Sequence, residues 1–285
     1  MQYHTHGFNP GDPNVFAAAS GHRRAGDPLP ETIDVLIAGS GPAGLCLAAQ
    51  LAREPSIRTM LVEPKFGPME KGQADGISVR SMEMFQAFGF AEKVMRESVW
   101  INETTFWAAG AESALERVAR VQDVPDGISE MPHVLLNQAR VHDMFLDLMR
   151  DGPTKLEPDY GLKVVDLEID PNAKDYPVTV TLEHTDLACL GQTTQLRANY
   201  VIGCDGARSS VRKAIGGTLH GDAAHHAWGV MDLLATTDFP DWRMKSFVRS
   251  QDAGILMVLP REGGHLVRLY VELDALGEHE RVADR

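Results

Sequence analysis

Ile33-Asp34-Val35-Leu36-Ile37-Ala38-Gly39-Ser40-Gly41-Pro42-Ala43-Gly44 is an apolar run that ends in three spaced glycines. The pattern is that of a β-strand delivering its backbone to a phosphate. Gly39 allows the tight turn after the strand, Gly41 removes the side chain that would block a pyrophosphate, and Gly44 lets the next helix pack close to the strand. That helix then points its N-terminus at the anion. Leu45, Ala48, Ala49 and Ala52 recur at helical spacing, so residues 42 to 53 read as an amphipathic helix with a small-residue face. Arg58-Thr59-Met60-Leu61-Val62-Glu63 follows as a second strand, ending in an acid roughly 20 residues past the glycines, where a carboxylate accepts from ribose hydroxyls.

The chain has 285 residues, material for about two domains. Its 40 acidic and 27 basic residues leave a formal charge of −13, which argues against nucleic acid or anionic lipid as partner. An anionic substrate needs a local exception to that field. Cys46, Cys189 and Cys204 are far apart and form no CxxC pair, which suits a reducing compartment and offers neither a disulfide framework nor a zinc site. The first residues lack a charged-then-apolar leader, and no apolar run approaches the roughly 18 residues of a membrane span. The expectation is a soluble, cytoplasmic chain without metal.

Residues 1 to 31 are Gly-, Pro-, Asp- and His-rich without periodicity and read as an extended arm, with His4 and His6 as arm polarity rather than metal ligands. A loop containing Gly72-Gln73-Ala74-Asp75-Gly76 leads to a helix over 79 to 88, capped by Gly89. Residues 100 to 107 and 115 to 121 carry strand patterning, and His133 to Leu136 form a short strand before Asn137, a good helix N-cap. The next helix stops at Gly152-Pro153. Strands are expected over 162 to 169, 178 to 183 and 196 to 204, then a helix over 209 to 215. A further run of strands covers 227 to 235, 245 to 250, 254 to 259 and 265 to 273, the last two joined through Arg261-Glu262-Gly263-Gly264. Two interleaved domains result. A nucleotide domain takes 32–98 and 131–225, and a β-sheet substrate domain takes 99–130 and 226–285. The final Glu280 to Arg285 reads as the start of a helix cut short.

A second strand-turn-helix stretch, Tyr200-Val201-Ile202-Gly203-Cys204-Asp205-Gly206-Ala207-Arg208-Ser209, places an Asp where the backbone turns. Together with the glycine fingerprint it resembles the Asp-Gly motif of the class A FAD-dependent aromatic hydroxylases. Gly72 to Ile77, Pro132 to Arg140, Trp228 to Asp232 and Arg261 to Tyr270 are similar to the phenol 2-monooxygenase branch of that family. The fold class implied is α/β: a three-layer, Rossmann-like FAD-binding domain interleaved with a mostly antiparallel β-sheet substrate domain, p-hydroxybenzoate-hydroxylase-like. Gly221-Asp222 imitates the family's other flavin motif, but no apolar strand precedes it. It and His220, His225 and His226 therefore read as loop, with the genuine motif expected beyond Arg285.

The resemblance implies FAD as cofactor, NADPH as co-substrate, and O2 and a small aromatic molecule as partners, and it suggests a homodimer. Gly39, Ser40, Gly41, Pro42, Ala43, Gly44, Glu63, Gln73, Gln138, Asp205 and Gly206 would contact FAD. Asp75 and Tyr270 would meet the substrate hydroxyl, and His133 and Lys245 would face a substrate carboxylate. The implied reaction hydroxylates 3-hydroxybenzoate para to its hydroxyl, giving 3,4-dihydroxybenzoate through a flavin C4a-hydroperoxide. The attacked carbon must be electron-rich, so a carboxylate that takes the phenolic proton, directly or through Tyr270, speeds that attack. Hydroxylation of neutral phenols and a non-catalytic FAD-binding piece are the rival readings. Taken without the resemblance, Lys245 beside Ser246 and Phe247 reads as a solvated strand residue, and His133 as a packed, hydrogen-bonded one.

Overall fold

A computed structural model of the chain describes residues 11, 14–72, 74–110, 114–221, 227–251 and 254–273. Gln73, His4, His6, Asp222, His225, His226 and the 280–285 stretch lie outside the described residues. In chain order the elements begin with β1 (Thr32–Ala38), α1 (Pro42–Leu51), β2 (Thr59–Glu63), β3 (Gly76–Ile77), α2 (Val79–Phe88), α3 (Ala91–Glu97), β4 (Val99–Trp100), β5 (Glu103–Ala109), β6 (Leu115–Gln122) and β7 (Val134–Leu135). They continue with α4 (Gln138–Asp151), β8 (Asp159–Tyr160), β9 (Leu162–Ile169), β10 (Val178–His184), β11 (Thr193–Gly203), α5 (Ser210–Ala214), β12 (Trp228–Leu233), β13 (Lys245–Arg249), β14 (Ile255–Pro260) and β15 (Val267–Glu272).

The chain divides into two compact units, residues 1–70 with 142–220 and residues 71–141 with 221–285. Each unit is assembled from two separated stretches of the chain, and 71–98 and 131–141 cluster with the second.

The first unit is built on a six-stranded sheet of order β8-β2-β1-β11-β10-β9. β1 runs parallel to both β2 and β11, while β10 is antiparallel to β11 and β9. Strand β1 lacks polar/apolar alternation because it is covered on both faces: Leu36 and Ile37 are fully buried. Leu45, Ala48 and Ala49 of α1 are fully buried too, the small-residue face seen in the sequence. Burying each large side chain of this set contributes about 1.5–3 kcal/mol. The described part of the N-terminal arm packs on this unit, with Phe16 N–H donating to Asp151 O at 2.8 Å and Arg23 paired with Asp159 at 2.5 Å.

In the second unit a six-stranded sheet has order β12-β15-β14-β13-β5-β6, antiparallel except for the parallel pair β13–β5, and a small sheet has order β3-β7-β4. Register sorts the residues of the larger sheet onto faces, since side chains alternate along a strand. One face buries Thr105 and Ser246, whose hydroxyls bond at 2.8 Å. The other carries Lys245 paired with Thr104, then a transverse row in which Phe106 pairs with Phe247, Phe247 with Met257, Met257 with Tyr270 and Tyr270 with Val230. The Phe106 and Phe247 rings stack at 5.4 Å. Gly89 caps α2 in the left-handed conformation, and Asn137 Oδ1 accepts from Ala139 N at the start of α4, as the sequence predicts. Helix α3 was not foreseen.

Candidate active site and cofactor turn

In the first unit, β1 and β11 are parallel neighbours paired from Thr32↔Arg197 to Ala38↔Gly203, so the glycine turn and the Asp205-Gly206 turn leave the sheet side by side. The fit is close: a Cβ on Gly39 would lie 2.5 Å from Cys204 O, and Gly39 sits at φ +100, which a side chain disfavours. A Cβ on Gly44 would lie 1.9 Å from Gly39 O, so the helix approaches its strand only because that position is bare. A Cβ on Gly41 would meet nothing within 4 Å. It is therefore the one glycine of the three whose bareness serves no contact inside the protein. It is also the N-cap of α1, where no side chain caps the helix and the first turn holds no acid. An uncapped helix start facing open space is what an incoming phosphate needs.

Glu63 ends β2 and is buried. Its Oε2 accepts from Ser40 N at 2.9 Å and Ser40 Oγ at 3.0 Å, and its Oε1 accepts from Lys65 N at 3.2 Å. The ribose-binding candidate thus also clamps the glycine turn. Asp205 accepts from Ser209 Oγ at 2.5 Å and from Ser210 N at 2.7 Å, so its carboxylate closes the turn onto α5. Gly206 takes φ +77 beside it. Pro42 and Ala43 open α1.

The second unit holds Asp75, His133, Gln138, Lys245 and Tyr270. Gln138 Oε1 accepts from Ala74 N at 3.3 Å, and a Cβ on Gly72 would come within 2.5 Å of the Gln138 Cβ, so this residue buttresses the loop that carries Asp75. Asp75 precedes β3 and His133 precedes β7. Those strands are antiparallel and pair Gly76 with Leu135 and Ile77 with Val134, so Asp75 lies opposite Leu136, whose N–H donates to Asp75 O at 2.9 Å, and the His133 backbone lies at the other end of the small sheet. His133 Nε2 is 3.7 Å from where a Gly76 Cβ would stand.

Asp75 is 6% exposed. Its Oδ2 accepts from the Arg261 guanidinium at 2.5 Å and from Arg268, while Oδ1 is buried without a partner. Burial pushes its carboxyl above 3.8, against the pull of Arg261 and Arg268, with Glu262 and Asp232 adding to the rise. Arg268 shares β15 with Tyr270, two residues on and so on the same sheet face. The bond to Asp232 leads in holding the Arg268 guanidinium charged, and hydrogen bonding with Tyr270 adds to it. Arg268 is therefore the common neighbour of Asp75 and Tyr270. Sequence reading missed both arginines. Arg261 looked like a turn residue, yet it is 2% exposed and also grips Glu262 at 2.9 Å. The one available signal was a charged residue closing the apolar run Ile255 to Pro260.

Lys245 and His133 meet on a residue the sequence did not single out. Asp123 follows β6; its Oδ1 accepts from Lys245 Nζ at 2.8 Å and Thr104 Oγ1 at 2.9 Å, and its Oδ2 lies 2.5 Å from His133 Nδ1. Burial works to raise the Asp123 carboxyl, but the bonds from Lys245, His133 and Thr104 outweigh it and leave it below 3.8. A cavity of about 360 Å³ adjoins this cluster, lined by Ile101, Asn102, Glu103, Gln122, Val124, Pro132 and His133. Among the described residues no group of His, Cys, Asp and Glu could hold a metal, and no helix is long and apolar enough to cross a membrane.

Comparison with known proteins agrees with this architecture. The chain is 56% identical over 290 residues to 3-hydroxybenzoate 4-monooxygenase of Comamonas testosteroni, covering 100% of this chain and 45% of the relative. It is 36% identical over 254 residues to the phenol 2-monooxygenase fsqG of Aspergillus fumigatus, covering 88% of this chain and 40% of that protein. The chain thus spans less than half the length of these relatives. Among solved structures, p-nitrophenol 4-monooxygenase PnpA from Pseudomonas putida DLL-E4 superposes with a TM-score of 0.72 at 23% identity, over 90% of this chain and 60% of that one, which shows the shared fold. The FAD binding domain family matches residues 32–284, and the chain belongs to that family.

Proposed function

We propose that this protein is an FAD-dependent hydroxylase of 3-hydroxybenzoate, giving 3,4-dihydroxybenzoate with NADPH and O2. The observation that carries this reading is the arrangement in the second unit. A buried, half-satisfied carboxylate shares an arginine with a phenol, on a sheet face that also bears Lys245. Lys245 and Tyr270 lie two strands and two residues apart on that face, on the order of 12 Å between backbones.

FAD, when bound, supplies the redox and oxygen chemistry; Gly41 and the start of α1 would receive its pyrophosphate, and Glu63 its ribose. The chain's own side chains prepare the substrate. Asp75 Oδ1, lacking a partner, accepts the phenolic proton or holds it in a short hydrogen bond, and its raised pKa makes it a better base than a solvated carboxylate. Arg261 and Arg268 fix Oδ2, so the free oxygen has one orientation. Tyr270 either relays the proton or donates to the developing phenolate. Lys245 and His133 meet the carboxylate end.

Hydroxylation of neutral phenols stays the second reading, because Asp123 already offers Lys245 a counter-charge. The test is Lys245→Met in the full-length enzyme. KM should rise at least tenfold for 3-hydroxybenzoate and by less than twofold for phenol. Equal shifts for both would remove the carboxylate from the reading and leave the neutral-phenol hydroxylase.

A further inference from the structure

The Lys245 and His133 cluster is not simply cationic. Lys245 Nζ and His133 Nδ1 are both drawn to one carboxylate, that of Asp123, whose side chain is 9% exposed against 24% for Lys245 and 19% for His133. Asp123 is also anchored by Thr104 Oγ1 and by its own N–H donating to Asn102 O at 2.9 Å, so it is built into the site. Glu103 lines the same cavity as His133 and is already paired with Arg120, and the Asp75 loop approaches His133 through Gly76. With Lys245 protonated and Asp123 ionised, the pair carries no net charge. An arriving benzoate therefore meets an ammonium that is half committed.

We propose that Asp123 is a selectivity-determining residue that acts through Lys245: its carboxylate neutralises the ammonium and so limits how strongly the site prefers a benzoate over a neutral phenol of the same shape. The inference rests on the reading of Lys245 as the partner of the substrate carboxylate. Two carboxylates sharing one ammonium repel each other, while a phenol lacking the carboxylate is indifferent to Asp123. Removing the charge at position 123 while keeping the shape should therefore help the benzoate alone. One unit charge acting across roughly 6 Å, in a medium between protein surface and water, corresponds to about tenfold in affinity.

The experiment is calorimetric titration of the full-length, FAD-loaded enzyme with 3-hydroxybenzoate and with phenol, reading the ratio of the two dissociation constants. Asp123→Asn keeps acceptors for Lys245 and Thr104 and should raise the preference for the benzoate about tenfold. Asp123→Glu keeps the charge and should leave the ratio within twofold of the unaltered enzyme. Asp123→Ser, which also deletes the charge, replaces the amide variant should that one not fold. A ratio that stays or falls in the charge-deleting variant overturns the proposal, and so does an equal shift in Asp123→Glu, since geometry would then be responsible. Lys245→Met measured alongside separates the two claims. If it leaves the ratio untouched, the carboxylate reading fails and takes the proposal with it. If it lowers the ratio while Asp123→Asn does nothing, the proposal alone fails.

Discussion

Asp75 illustrates how a single position combines a structural anchor and a reactive group. Two guanidiniums occupy one oxygen, and the other oxygen is buried with no partner, a state that costs about 1–3 kcal/mol unless something arrives to bond it. In the proposed enzyme, Asp75→Asn should lower kcat by about 10²–10⁴, the usual worth of a positioned base. Because burial raises the Asp75 pKa, its ionisation opposes folding: the protonated form's stability is complete below 3.8 and is lost as pH rises through the raised value. Activity runs the other way, falling as pH drops through that same raised value, and the pH profile of kcat/KM for Asp75→Asn should lack this acid limb. His142 is a second informative residue. It is 4% exposed, neither ring nitrogen has a partner, and burial pushes its pKa below 6.5, against the pull of Asp143 and Glu63. The unfolded chain binds a proton that the buried ring refuses, so stability is complete above 6.5 and is lost as pH falls from there toward the depressed value. His142→Leu should flatten the dependence of Tm on pH as the pH falls below 6.5. A slope kept by the variant would place the titration on another group.

The element that decides cofactor binding is the β1 turn with α1, and its glycines are separable by experiment. Gly44→Ala puts a methyl 1.9 Å from the Gly39 carbonyl oxygen, a backbone atom that cannot step aside. It should cost about 3 kcal/mol or more and appear as a drop in Tm with or without FAD. Gly41→Ala meets nothing and sits at φ −67, so the fold should tolerate it. Its effect should be confined to FAD, with affinity reduced at least about tenfold because the methyl stands where the pyrophosphate would approach. Thermal melts of the apo-protein and fluorescence titration with FAD distinguish the two variants. If both behave alike in the absence of flavin, Gly41 serves packing and not the cofactor. The small sheet is the counterpart in the second unit: three strands, β3, β4 and β7, each two residues long, are flanked by Asp75 at one end and His133 at the other.

For the whole molecule the consequence of interleaving is that neither unit is contained in one half of the chain. β1 needs β11 beside it, and β5 needs β13. A chain ending at Val141 would keep β1, β2, β5 and β6 but lose β11 and β13, leaving the apolar face of α1 over an incomplete sheet. Such a fragment should lack native structure, with narrow amide dispersion by NMR and no cooperative thermal transition. A cooperative transition would mean that a half-chain folds without its sheet partners. The same connectivity brings together turns that are distant in sequence, Gly39 and Cys204 among them, through the sheet and not through local contacts.

Local chemistry was sufficient for much of this. Glycine spacing after an apolar strand, helical periodicity after the glycines and a strand ending in Glu63 need only neighbours along the chain, so the nucleotide turn and most strands and helices were legible as residues. The same holds for Gly89 and Asn137 as caps. The resemblance, not spacing, pointed to Asp75, His133, Lys245 and Tyr270, since each is unremarkable in its own stretch. Tertiary structure alone decided who their partners are. Arg261 is buried because β14 and the Asp75 loop converge on it, and Asp123 stands between His133 and Lys245 because β6, β7 and β13 bring their ends together. An ion pair between residues more than a hundred positions apart leaves no periodic or compositional trace. Its existence depends on strand order and register, which are set by the burial of the whole sheet and not by any one segment.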